Sequence, residues 1–168
     1  TLMVMIYAVG HISGAHFNPA VTVAVWLRGS FERKEVLPYV FIQLVAGVVA
    51  ALSSQLIAPD SQVAPLELQA VDSISAEFLY TFALVFVILN VATHESTEGN
   101  SYYGAAISFV VLAGAITVGG ISGGSFNPAV SGSMFFSDLI PFADLWIHLV
   151  PQMAAGLAAT FTFLAIQD

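Results

Sequence analysis

Cysteine is absent from this chain of 168 residues, and only 8% of its residues are charged. Without cysteine there is no disulfide scaffold, thiol nucleophile or cysteine-ligated metal. Three basic residues against eleven acidic ones cannot supply a phosphate-neutralising face, which excludes nucleic acid as a partner. No Ser/His, paired-Asp or His-Glu pattern falls within an apolar stretch, and the histidines are scattered. No catalytic residue, metal or cofactor is therefore expected. A soluble domain carries about a quarter charged residues, whereas here 58% are hydrophobic and the mean hydropathy is +0.88. Lipid, not water, suits this composition.

A bilayer core of roughly 30 Å takes about 20 apolar residues to cross. Four stretches meet or approach that length: Val36 to Ile57, Ser75 to Thr93, Tyr103 to Ile121 and Ala143 to Ile166. A shorter run, Thr1 to Gly10, has no cap and no basic flank, so it reads as a helix cut open and the chain as a fragment. Polar connectors separate the spans, and Arg28, Arg33 and Lys34 all fall in the one from Arg28 to Glu35. The bias of basic residues toward the cytoplasm puts that connector inside. Its counterpart in the second half has no base and carries Asp138 and Asp144, so it faces outside.

An internal repeat organises the rest. His11 to Val21 matches Gly120 to Val130 at eight of eleven positions, with Asn18 and Asn127 standing 109 residues apart. The same register pairs Gln43 with Gln152, Ala46 with Ala155 and Gly47 with Gly156. The chain divides into a first repeat remnant (1–57), a loop (58–73) and a second repeat (74–168), forming one domain. Each complete repeat would hold three spans and a short segment, the first having lost one helix and the start of the next. An odd number of crossings sets the repeats in opposite orientations, which is the logic of an inverted-repeat membrane protein.

Asn-Pro-Ala occurs once per repeat, at Asn18-Pro19-Ala20 and Asn127-Pro128-Ala129. Asparagine is a preferred N-cap and proline fits the first helical position, so each motif opens a helix. The apolar stretches that follow, Pro19 to Leu27 and Pro128 to Phe136, reach only about 13 Å, half a membrane. Two such half-helices entering from opposite faces would meet with their positive N-termini together. Non-helical backbone at that depth must be protein-buried or line a water-filled cavity. Gly14, Ala15, His16 and Phe17, with Gly123, Gly124, Ser125 and Phe126, are thus candidates to present carbonyls to permeating molecules. Asn18 and Asn127 would present amide donors at the centre of a pore that passes neutral solutes and repels cations.

In these motifs, and in Glu77, Gln43 and Pro151, the chain resembles the aquaporin, or major intrinsic protein, family over essentially its whole length. The resemblance implies an all-α membrane protein with six spans and two re-entrant half-helices, one pore per subunit of a homotetramer, water and small neutral solutes as partners, and lipid around it. It also implies that Glu77 accepts hydrogen bonds from a re-entrant loop. Water-selective members carry arginine after the second motif, where Val130 stands here. Two further filter positions fall on Ala115 and Gly124 and the fourth lies before Thr1, so at the three readable positions a wide, apolar constriction is expected, open to water and to glycerol, urea, ammonia or peroxide. Ser131 argues the other way, since glycerol facilitators typically have aspartate there, and His148-Leu149 replaces an aromatic pair of water channels. His16 reads either as a gating group or as an ordinary hydrogen-bonded loop histidine. The expected location is the plasma membrane; the alternative to a channel is a non-conducting junctional protein with the same fold.

Overall fold

The computed structural model describes residues 1–59 and 64–167. Among them seven α-helices follow in chain order: α1 (Leu2–Ser13), α2 (Pro19–Leu27), α3 (Arg33–Ile57), α4 (Ala70–Thr93), α5 (Tyr103–Ser122), α6 (Pro128–Phe136) and α7 (Leu145–Ala165). The helices α3, α4, α5 and the stretch Phe142–Ala165 ending in α7 are long and apolar enough to cross a membrane. The chain is a multi-pass integral membrane protein of all-α class.

Hydropathy located these spans and the bounds at Ile57, Thr93 and Tyr103, but not every start. The third helix starts at Arg33, before the expected Val36, and the fourth at Ala70, before Ser75. Charged residues such as Arg33, Lys34 and Glu35 favour helix while marking the exit from lipid, and Asp72 suits a first turn because it faces the positive end of the helix dipole. The loop expected over 58–73 therefore ends at Gln69, and its residues 60–63 lie outside the described ones. The last span is entered through a short 3-10 turn, Phe142–Asp144, after Pro141.

Both half-helices have the expected bounds, and their caps say why. The Asn18 backbone is extended (φ −153°) and its Oδ1 accepts from the Ala20 N–H at 2.9 Å; Asn127 repeats this with Ala129, also at 2.9 Å. Each cap satisfies a donor that the first helical turn leaves without a partner, and Pro19 and Pro128 have no N–H to satisfy.

The two repeats interlock, because α3 packs on α6 while α7 packs on α2, so each half-helix rests on a long helix of the other repeat. Glycines in register make the approach possible. A Cβ at Gly47 on α3 would stand 2.5 Å from the Ala129 carbonyl oxygen, and one at Gly156 on α7 would stand 3.3 Å from that of Ala20. The hydrophobic core includes Leu84, Val85, Leu89, Phe126, Ala159 and Phe163.

These spacings predict unequal costs for equivalent substitutions. Gly47→Ala must push backbone apart and should destabilise by about 2 kcal/mol, the usual scale of overpacking, whereas Gly156→Ala should cost well under half of that. Thermal unfolding in detergent measures both; equal midpoints would refute the interlocking account.

Candidate functional site

Two tight loops precede the half-helices, and they share one backbone path. Gly14, Ala15 and Phe17 have φ of 76°, 50° and 50°, and their counterparts Gly123, Gly124 and Phe126 have 82°, 63° and 48°. The left-handed region costs a non-glycine residue roughly 1 kcal/mol or more, so the phenylalanines need neighbours that hold them there. Phe126 is buried beside Tyr80, their ring centroids 5.2 Å apart, and a Cβ at Gly114 would collide with its ring.

The loops are joined to each other through the motif asparagines. Nδ2 of Asn18 donates to the Phe126 carbonyl at 2.8 Å, and Nδ2 of Asn127 donates to the Phe17 carbonyl at 2.8 Å. The pair is reciprocal under the repeat. Each asparagine thus caps its own helix with its oxygen and ties the opposite loop with its nitrogen, and a side-chain amide retains one further N–H. The last carbonyl of each loop is consequently engaged at this waist, while those of Gly14 to His16 and Gly123 to Ser125 are not claimed by it.

Behind the second loop sits Glu77, fully buried on α4. Its Oε1 accepts from Ser122 Oγ (2.6 Å) and Ser125 N (3.1 Å); its Oε2 accepts from Ser125 Oγ (3.1 Å), Phe126 N (2.7 Å) and Gln152 Nε2 (2.8 Å). Burying a carboxylate is tolerable only with such partners. Gln152 also donates to Ser131 Oγ at 2.9 Å, and Gln43 donates to Thr22 Oγ1 at 2.9 Å in the first repeat. His16 Nδ1 is 3.2 Å from Thr22 Oγ1, and its ring packs edge-on against Phe31 and Tyr39. His16 is thus bonded within its loop while also bordering the cavity that runs past it.

A cavity of about 580 Å³ runs past the first loop and both asparagines, with walls from α1, α4 and α5. Val130, 42% exposed, lines it; Ala115 and Gly124 do not. Those two instead lie against each other, since a Cβ at Gly124 would be 3.4 Å from the Ala115 Cα. Sequence reasoning set His148 only in the place of an aromatic of water channels, without a partner; it is fully buried and bonded to the Ser122 carbonyl at 2.7 Å. The repeat register, which pairs it with Tyr39, was the signal that could have found it.

The model of the major intrinsic protein family matches residues 1–163. Aquaporin NIP1-2 of Arabidopsis thaliana is 35% identical over 97% of this chain and 58% of its own length. Aquaporin NIP1-1 of Oryza sativa subsp. japonica is 36% identical over 99% and 59%, and the probable aquaporin NIP-type of Nicotiana alata 33% over 99% and 63%. The chain spans about three fifths of the length of the curated relatives it matches.

Glu77→Gln provides the local test of this geometry. One oxygen becomes an NH2 facing donors, Phe126 N–H and Gln152 among them, and each opposed buried pair costs about 1–3 kcal/mol. Lower thermal stability in detergent is expected, with faster hydrogen exchange at the Ser125 and Phe126 amides. Unchanged exchange there would show that the carboxylate does not hold the loop.

Proposed function

The chain belongs to the major intrinsic protein family, and from that premise we propose that it forms a passive transmembrane pore for water and small neutral solutes. The observation that carries this reading is the reciprocal pair of amide bonds, Asn18 to Phe126 and Asn127 to Phe17. These bonds hold the N-termini of two nine-residue helices together, and each terminus contributes roughly +0.5 of an elementary charge.

Two amide N–H groups, one from each asparagine, remain to donate to a passing oxygen. Carbonyls of Gly14, Ala15 and His16 on one side, and of Gly123, Gly124 and Ser125 on the other, accept from the same solute as it moves. A neutral molecule that both accepts and donates exchanges its water partners for these groups in turn. A cation, hydronium included, meets two positive helix ends. Glu77 keeps the second loop in shape without facing the solute.

The constriction falls at Val130, which faces the cavity, with Ala115 and Gly124 packed together behind its wall, and there is no charged donor and no large ring among the three. The relatives' name, aquaporin, supports water as a solute, and the small filter residues extend the range to glycerol, urea, ammonia and peroxide. The assembly is a homotetramer in the plasma membrane, with the Arg28 to Glu35 connector in the cytoplasm and lipid against exposed apolar side chains such as Leu37, Phe41 and Leu56.

Stopped-flow light scattering on proteoliposomes of the full-length protein tests the pore. Fast shrinkage in a sucrose gradient and fast re-swelling in glycerol are expected; rates equal to those of empty vesicles, with folded protein verified, would sink it. Val130→Arg should lower the glycerol-to-water ratio by about tenfold, equivalent to about 1.4 kcal/mol of added barrier. An unchanged ratio removes Val130 from the filter. Orientation is open to single-site labelling on a cysteine-free background, to which these 168 residues contribute no cysteine. Ser30→Cys should react with an impermeant maleimide from the inside only and Ala143→Cys from the outside only, and the opposite pattern would invert the topology.

A further inference from the structure

His148 is a buried ionisable side chain to which the pore mechanism assigns no task. It lies in the first turn of α7, and its Nε2 is 2.7 Å from the Ser122 carbonyl oxygen. A carbonyl only accepts, so Nε2 carries the hydrogen and donates it. Nδ1 is buried and has no partner among the described residues. Glu77 Oε1, at 4.0 Å from Nε2, lies beyond hydrogen-bond reach. The ring's one hydrogen bond therefore goes to the last carbonyl of α5, a group that helix geometry leaves without an intrahelical partner.

The first repeat makes the same contact with different chemistry. Tyr39 is the residue in register with His148, and its hydroxyl donates to the Ser13 carbonyl, the counterpart of Ser122, at 2.8 Å. Ser13 and Ser122 each end a helix and precede the left-handed glycine, Gly14 or Gly123, that starts a re-entrant loop. A phenol and an imidazole differ in size, shape and polarity. What the two positions share is a hydrogen-bond donor aimed at the same backbone oxygen, and ring packing alone would not require that.

We propose that His148 is a positioning residue of the outer constriction. By fixing the Ser122 carbonyl it sets the turn through Gly123, and so the position of Gly124 against Ala115, where a Cβ would already stand 3.4 Å from the Ala115 Cα. Tyr39 performs the equivalent task for the first loop. The inference rests on the pore reading, because only a pore gives the Gly124 position a measurable selectivity.

Water and glycerol permeabilities of His148→Phe, His148→Tyr and Tyr39→His in proteoliposomes of the full-length protein test it. His148→Phe keeps a ring and removes the donor, and should shift the glycerol-to-water ratio by about fivefold, the scale of one hydrogen bond, while the two donor-keeping variants stay within about twofold of the parent. A folded His148→Phe with the parental ratio overturns the proposal, as does a His148→Tyr displaced as far as His148→Phe. If His148→Phe does not fold, His148→Tyr alone decides, a parental ratio supporting the role and a shifted one refuting it. A parent without water flux would instead remove the pore reading. Hydrogen exchange at the Gly123 and Gly124 amides then decides the positioning role: parental protection in His148→Tyr supports it, and faster exchange in that variant overturns it.

Discussion

Two amide hydrogen bonds, Asn18 to Phe126 and Asn127 to Phe17, are the constraint on which the rest of the structure depends. Each joins segments more than a hundred residues apart, and neither can form unless both half-helices stop at the same depth. That requirement fixes where the helices begin, which is why asparagine and proline stand together twice. It also fixes the strain, since the Phe17 and Phe126 carbonyls reach the opposite asparagine only through a left-handed backbone. Strain of this kind persists where the surroundings over-determine it, and Glu77, Ser125 and Gln152 do so in the second repeat.

Interlocking of the repeats carries the constraint outward. A half-helix of nine residues is too short to be stable by itself, and each is braced by a long helix of the other repeat at a glycine. Gly47 against Ala129 and Gly156 against Ala20 are equivalent contacts with unequal clearance. Duplication preserved the arrangement but not the dimensions.

Sequence alone made the frame legible, because its signals are local or periodic. The four long helices, the bounds of both half-helices and the inverted repeat follow from hydropathy, capping and the 109-residue register. Helix ends were less legible, since Arg33 to Glu35 leave the lipid without leaving the helix. The reach of Asn18 and Asn127 across the waist was hidden, for a motif does not reveal what its second donor meets. The partner of His148 was hidden for a different reason. The fold constrains where a donor must be, not which residue supplies it, so a register comparison that looks for identical residues passes over a tyrosine matched to a histidine.

On the proposed pore, this last point bears on selectivity. A filter is usually thought of as a ring of side chains, yet Ala115 and Gly124 contribute a methyl group and nothing, and a Cβ at Gly124 would stand 3.4 Å from the Ala115 Cα. The width at that point is then a separation between main chains, and the groups that set it stand behind the loop. Glu77 holds the amides of Ser125 and Phe126, Ser122 Oγ holds that of Gly124 at 3.2 Å, and His148 holds the Ser122 carbonyl. Val130 is left as the one side chain of any size among the three filter positions that this chain shows. Solute preference in such a channel is therefore governed as much by buried hydrogen bonds that no solute touches as by the residues lining its path.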